Sequence, residues 1–260
     1  MTDGTALITG ASSGIGRALA DEFARNGHDL LLVARREDRL QTACTDLEDG
    51  FDIAADFVVQ DLADRSGREA LLESVVDRRI DYLVNNVGIG TQGHFLDIDL
   101  DTEIDQLELN VATPTHLTKR LGPAMRDRGT GGVLNVASSA AFQPGPFMAV
   151  YYATKSYLLS FSEAIHQEFR RDGVAVTALC PGPVDTDFQD RAGNTHTPIG
   201  SPGGFPRWLP VDRVARVGYD GLMAGKPIAI PGLEYKLLWR VARVTPRPLV
   251  RTLAAQFNKP

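Results

Sequence analysis

Between residues 5 and 27 the sequence changes period twice. Thr5-Ala6-Leu7-Ile8-Thr9 is a short apolar run of the kind that forms a buried strand. Gly10-Ala11-Ser12-Ser13-Gly14-Ile15-Gly16 follows at once. From Arg17 to Asn26 the apolar residues Leu19, Ala20, Phe23 and Ala24 recur at helical spacing, and Gly27 ends the pattern. This order, strand then glycine-rich turn then helix, opens a βαβ unit. Glycine permits the tight turn and lets a pyrophosphate approach the backbone. The helix N-terminus adds free N–H groups and the positive end of its dipole. The spacing is G-x-x-x-G-x-G, not G-x-G-x-x-G, and a glycine-rich loop alone can be only a turn. Its place between a first strand and a first helix makes Gly10, Ser12, Ser13, Gly14, Ile15 and Gly16 candidate cofactor residues.

The alternation continues along the chain. Patterning predicts further strands at 29–33, 53–60, 80–84, 132–137 and 174–179, with a short last strand at 226–231. It predicts helices at about 65–78, 102–126, 151–171 and 211–224. Strands alternating with helices imply right-handed crossovers and an α/β doubly wound parallel sheet, a Rossmann fold. The chain's 260 residues suit one such domain. Ligands of such sheets sit at the carboxyl ends of the strands, so those ends carry the chemistry.

The second strand ends in Ala34-Arg35-Arg36, where NAD-binding folds usually place an acid for the ribose 2′-hydroxyl. Two guanidinium groups suit a 2′-phosphate instead, by charge and by forked donors. They predict NADP(H) in preference to NAD(H). The rival reading is two solvated arginines at a helix start, paired with Glu37 and Asp38. The third strand ends at Asp61-Leu62. Asp61 could accept from an adenine amino group, or could cap the next helix. The fourth leads to Asn85-Asn86-Val87-Gly88, where paired Asn can tie neighbouring strands together or mark a simple turn. Asn110 lies inside the 102–126 helix, a place Asn does not favour. The fifth strand ends at Ser138-Ser139, and alternation turns only one of these toward the site. The sixth ends in Cys180-Pro181-Gly182-Pro183-Val184-Asp185-Thr186.

Tyr151 and Lys155 stand four apart on the 151–171 helix and so share a face. A phenol is a poor acid at neutral pH, and a nearby cation lowers its pKa. A Tyr so placed can exchange a proton with a carbonyl or alcohol oxygen. Such a pair also arises by chance on many helices.

Taken together these stretches resemble the short-chain dehydrogenase/reductase family, of the single-domain, NADP(H)-preferring kind, from Thr5 to about Pro231. Thr9-Gly10-Ala11-Ser12-Ser13-Gly14-Ile15-Gly16 is similar to the family's TGxxxGxG motif. Asn85-Asn86-Val87-Gly88 is similar to NNAG, with Val for Ala. Asn110, Ser138, Tyr151 and Lys155 are similar to its Asn-Ser-Tyr-Lys tetrad, and Pro181-Gly182 with Thr186 to its PG turn. The interval to Tyr151 selects Ser138 over Ser139, and Tyr152 has Ser156 where a lysine would be needed. The resemblance implies an oxidoreductase that interconverts a ketone or aldehyde and an alcohol. In it Tyr151 is the proton donor, Ser138 orients the oxygen, and Lys155 lowers the phenol's pKa and holds the nicotinamide ribose. Asn110 holds a relay water. Asn86, Val87, Gly88, Pro181, Gly182, Val184 and Thr186 complete the cofactor cleft. It also implies a small-molecule substrate, a homodimer or homotetramer, and a mobile lid at about 186–210. A lyase or epimerase on the same fold, or a non-catalytic NADP(H)-binding regulator, are the other classes. The first lacks a second substrate domain here, and the second usually loses the Tyr or Lys that this chain keeps.

The lid stretch is rich in Gly and Pro and carries Phe188, Phe205, Trp208 and Leu209. These are either contacts for an apolar substrate or core anchors. Residues 1–232 are expected to form the Rossmann-type domain, and 233–260 a basic amphipathic extension. That extension holds Lys236, Arg240, Arg243, Arg247, Arg251 and Lys259 against Glu234, a net +5 that leaves −11 on the rest of the −6 chain. Leu233, Leu237, Leu238, Val241 and Val244 form its apolar stripe, Trp239 lies beside it, and Thr245-Pro246-Arg247-Pro248 breaks it. Docking on a second subunit or on the protein body, where the extension could cover its own substrate pocket, is expected ahead of a membrane surface, with Leu237 and Trp239 as the contacts. The negative total argues against nucleic acid. No metal-ligand spacing is present, and Cys44 and Cys180 read as reduced thiols. Without a basic-then-apolar leader or a membrane-length apolar run, a cytoplasmic location is the expectation.

Overall fold

The computed structural model describes residues 4–188, 192 and 207–259. A seven-stranded sheet, all parallel, runs in the order β3-β2-β1-β4-β5-β6-β7. The strands are β1 (Thr5–Thr9), β2 (Asp29–Ala34), β3 (Ala55–Val59), β4 (Tyr82–Asn85), β5 (Gly132–Val136), β6 (Ala175–Leu179) and β7 (Ile228–Ala229). The strand order reverses between β1 and β4, and that switch point opens the ligand crevice.

Both faces of the sheet are covered, which is why its strands read as continuous apolar runs. Leu30 and Leu32 of β2 point to one side and Leu31 and Val33 to the other, all buried. The first side packs on α1 (Gly14–Arg25) through Leu19 and Phe23, on α2 (Glu37–Gly50) through Leu40 and Leu47, and on Val214 and Leu222. The second packs on α3 (Arg65–Ser74) through Leu71, and on Leu117, Met125 and Ile165.

The expected helix over 102–126 is three pieces: α4 (Leu100–Leu107), a π turn (Glu108–Ala112) and α5 (Thr113–Arg128). The π turn has a local cause. Pro114 has no N–H to give the Asn110 carbonyl, and the Thr113 N–H reaches back five residues to Glu108. The chain continues through α6 (Ala149–Phe169), α7 (Val211–Met223), α8 (Leu233–Val244) and α9 (Arg247–Asn258). Other departures are at ends. α2 begins at Glu37 directly after Arg36, α3 stops at Ser74, and the last strand keeps two residues because only Ile228 and Ala229 pair with β6. Of the proposed lid, residues 189–191 and 193–206 lie outside the described residues.

Candidate active site

The glycine-rich loop leaves β1 with Gly10 at φ +66° and Gly14 at φ +58°, conformations that glycine adopts freely. A Cβ on Gly16 would stand 2.4 Å from both the Gly10 carbonyl oxygen and the Asn86 amide nitrogen. The loop is held from the next strand. Asn86 Nδ2 donates to the carbonyls of Thr9 (2.9 Å) and Gly10 (3.2 Å), and Thr9 Oγ1 accepts from the N–H groups of Asn86 and Val87. Asn85 points into the sheet instead, donating to Asn135 and Thr118. Ser13 precedes α1 in an extended conformation, and its side chain does not cap the helix. The first-turn N–H groups therefore face the cleft without a side-chain acceptor from that position.

At the end of β2 the two arginines differ. Arg36 Nη2 donates to Ser12 Oγ (2.9 Å) and Ser13 Oγ (3.0 Å), so its guanidinium lies across the glycine-rich loop. Arg35 pairs with Asp61 at 3.3 Å. Arg35 is an exposed residue close to a helix start, as the rival reading has it, whereas Arg36, directly before α2, is half-buried and also stands 3.9 Å from Asp187; Glu37 and Asp38 form no ion pair with either among the described residues. Asp61 is not a helix cap, because Asp64 caps α3 by accepting from the Gly67 N–H. Leu62 is buried, and its carbonyl accepts from Thr113 Oγ1.

Tyr151 lies in the first turn of α6, buried, with the Ser138 side chain beside its phenol. Ser138 accepts from the Ala140 N–H, and Ser139, which also lines the cleft, donates its backbone N–H to the Pro181 carbonyl. Lys155 Nζ donates to the Val136 carbonyl at 2.8 Å and lies 5.8 Å from the Tyr151 ring centre. Burial pushes the Tyr151 phenol up to about 12, against a lowering pull from Ser138. Burial pulls the Lys155 ammonium down to about 8. Lys155 is not among the groups that move the phenol, and its ammonium donates to a carbonyl.

Asn110 fixes the chain after β4: its Oδ1 accepts from the Ile89 N–H, and its Nδ2 donates to the Ile89 carbonyl and to Thr154 Oγ1. Both amide hydrogens are used, and the oxygen keeps one acceptor position. A Cβ on Gly88 would lie 2.9 Å from Asn110 Oδ1 and 3.5 Å from Lys155 Nζ, so Asn110 and Lys155 flank that glycine.

One cleft of about 790 Å³ joins these groups. Gly10, Ser12, Ser13, Gly14, Ile15, Arg35, Arg36, Asp61, Leu62, Asn86, Val87, Gly88, Ser138, Tyr151, Lys155, Pro181, Gly182, Val184 and Thr186 line it. Gly16 and Asn110 stand behind its wall. Thr186 touches the glycine-rich loop at Gly14. Of the four apolar residues in the expected lid, Phe188 lines the cleft, its ring 5.4 Å from that of Tyr151, whereas Leu209 is a buried anchor bridged to Val184. Phe205 lies outside the described residues. Among the described residues no cluster of metal ligands occurs. Burial pushes Cys180 up to about 12 and Cys44 to about 11, so both stay as thiols.

The C-terminal helices build the far wall of the cleft, as the pocket-covering reading of the extension expects. Tyr235, Leu238, Trp239, Val241, Val250, Leu253, Ala254, Phe257 and Asn258 all line the cleft. Tyr235 is buried and its hydroxyl donates to the Arg207 carbonyl. Trp239 meets Phe142 at 6.0 Å between ring centres. Asn258 Oδ1 accepts from the Tyr152 hydroxyl, and its carbonyl accepts from Gln92 Nε2. The expected docking on the body thus occurs through Tyr235, Trp239 and α9. Leu237, expected as a contact, is exposed because the cleft lies on the opposite side of α8. Phe147, just before α6, holds φ +65°, and its carbonyl accepts from Gly93. No sequence signal marks that kink, which sets the entry to the Tyr151 helix.

Three comparisons bear on what the cleft does. The family model for short chain dehydrogenase matches residues 4–197. The very-long-chain 3-oxoacyl-CoA reductase of Bos taurus is 33% identical over 190 residues, covering 70% of this chain and 59% of its own length. The chain spans between half and two thirds of the curated relatives it matches. Among solved structures, a short-chain dehydrogenase from Sphingobium yanoikuyae in complex with NADPH is 32% identical, covers 92% of each chain and superposes with a TM-score of 0.83. The bulky-bulky ketone specific alcohol dehydrogenase from Comamonas testosteroni is 29% identical, covers 92% of this chain and 91% of its own, and superposes with a TM-score of 0.77.

Proposed function

The chain belongs to the short chain dehydrogenase family, and from that premise we propose that it interconverts a bulky apolar ketone and its secondary alcohol, using NADP(H) in preference to NAD(H). The observation that carries the reading is one cleft with two ends. At one end Arg36 lies across a glycine-rich loop; at the other a buried phenol and a serine stand together beside an apolar wall.

The cofactor end fits a phosphorylated dinucleotide on its own chemistry. The N-terminus of α1 has no side-chain cap from Ser13, Gly10 and Gly14 keep the loop free of side chains, and no carboxylate ends β2. Of the acids beside the arginines, Asp61 pairs with Arg35 at 3.3 Å, and Asp187 pairs with Arg39 at 3.2 Å and stands 3.9 Å from Arg36. We assign the pyrophosphate to the loop, a 2′-phosphate to Arg36 with Ser12 and Ser13, and the nicotinamide end to the cleft beside Lys155 and Pro181-Gly182. The bound cofactor supplies or accepts the hydride.

The protein's own residues handle the oxygen. Tyr151, held protonated at neutral pH by burial, donates a proton to the carbonyl oxygen as it gains charge. The Ser138 hydroxyl, beside the phenol in the same cleft, orients the same oxygen. Asn110 and Thr154 fix the strand end and the helix turn that frame Lys155. Phe142, Met148, Phe188, Trp239 and Phe257 give the substrate end an apolar lining that excludes water and suits a bulky hydrocarbon flank.

A panel of bulky and small ketones, followed by NADPH absorbance, tests the reading. Turnover of bulky apolar ketones that disappears in Tyr151→Phe, with NADPH binding intact, is the expected result. A Tyr151→Phe enzyme that keeps the wild-type rate would end it.

A further inference from the structure

The two C-terminal helices bury one side and leave a second apolar side open. α8 turns Tyr235 and Trp239 toward the cleft wall, whereas Leu233, Leu237 and Val244 are 77, 62 and 83% exposed. With Val241 they fall on one helix stripe. α9 repeats the arrangement. Leu249, Leu253 and Phe257, four residues apart, are exposed, while Val250 and Ala254 are buried. Exposed apolar residues in this number on two neighbouring helices mark an interaction site.

Charge identifies the occupant. Lys236, Arg240, Arg247 and Arg251 are exposed on the same helices and form no ion pair with a described residue. A second copy docked symmetrically on this face would set one +5 tail against another. An anionic lipid surface matches both components: apolar side chains enter the headgroup boundary, and the cations meet lipid phosphates. No described helix is long and apolar enough to cross a membrane, so the contact is with the surface. The face is also continuous with the cleft, because Leu238, Val241, Leu253 and Phe257 line the cleft and remain partly exposed.

We propose that the α8–α9 face docks on an anionic lipid surface and turns the cleft mouth toward it, so that an apolar ketone enters from the bilayer. The docking stands on the geometry and charge of the two helices. Only the delivery of a ketone rests on the function proposed above.

The test is sedimentation of the full chain with phosphatidylcholine vesicles, with and without phosphatidylglycerol. Binding to the anionic vesicles should exceed binding to the neutral ones by about tenfold or more and fall with added salt. The triple variant Leu233→Glu, Leu237→Glu, Val244→Glu touches no cleft residue. It should stay in the supernatant with its melting temperature and NADPH affinity unchanged. A wild-type chain that ignores anionic vesicles, or a triple variant that sediments as the wild type does, overturns the docking. So does light scattering, without lipid, that shows an oligomer which the triple variant splits, since that gives the face to a second copy. Vesicle binding with no ketone reduced would leave the docking standing and remove the proposed function.

Discussion

At the scale of single residues, burial decides the chemistry more than neighbouring charge does. Tyr151 and Lys155 are four apart as the proton-transfer reading requires, yet burial moves them in opposite directions, to about 12 and about 8. A phenol protonated at neutral pH carries the proton it would donate, though raising its pKa makes it a weaker acid, and it is a base only at alkaline pH. Ketone reduction should therefore be level through neutral pH, and alcohol oxidation should climb with pH. Initial rates in both directions across pH check this, and oxidation that peaks below neutrality would contradict it. Tyr151→Phe should lower kcat/KM by about a thousandfold, roughly 4 kcal/mol of transition-state stabilisation. The lysine carries a stability signature as well. Its folded pKa lies below the unfolded 10.5, so the unfolded chain binds more protons between pH 8 and 10.5. Its burial penalty is complete below about 8 and fades as pH rises to 10.5. Lys155→Met should stabilise the fold most at neutral pH, by at most roughly 3 kcal/mol, and this gain should vanish near pH 10.5. Denaturant midpoints of both proteins across that range measure it.

At the scale of elements, the junction of the β6 loop with α8 is the tightest constraint in the site. A Cβ on Gly182 would stand 2.0 Å from Tyr235 Cζ. Gly182→Ala must therefore displace the anchor of α8, at a cost of about 1–3 kcal/mol for overpacking. Adding Tyr235→Ala should give back part of that loss, because the second change removes the clash made by the first. A double-mutant cycle by thermal unfolding reads the coupling, and simple additivity would show that the two do not meet. At the β2 end the two arginines have separable jobs. Arg36 lies on the loop serines and Arg35 on Asp61. Arg36→Ala should cost about 2–3 kcal/mol of NADPH affinity and little of NADH affinity, as a charge-assisted contact to the 2′-phosphate requires. Arg35→Ala should change the ratio less. Fluorescence titration of both cofactors separates them.

At the scale of the whole molecule, the tail belongs to the cleft. Ending the chain after Gly232 would remove Tyr235, Trp239, Val250 and Ala254 from the wall, so a truncated protein should melt several degrees lower. Trp239→Ala should reproduce part of that loss, and Leu237→Ala almost none. Differential scanning calorimetry of the three variants decides it. The order of elements, the parallel sheet and the cofactor loop were legible in the sequence because each is a local matter. A buried strand reads as an apolar run, a helix as a 3.6-residue period, and a phosphate loop as glycines at a strand-to-helix turn. Arg36, Ser138, Tyr151 and Lys155 were legible too, since each stands at a strand end or on a helix face that chain order fixes. What the sequence could not tell was how far each group lies from its neighbours and from water. The apolar stripe of residues 233–244 was visible, but not that Trp239 would turn toward the cleft and Leu237 away from it. Asn110 was visible, but not that Ile89 and Thr154 consume its amide. Only the tertiary structure decided these, because burial and hydrogen-bond partnership come from residues far apart in the chain, and periodicity records only that a face is apolar, never what it will meet.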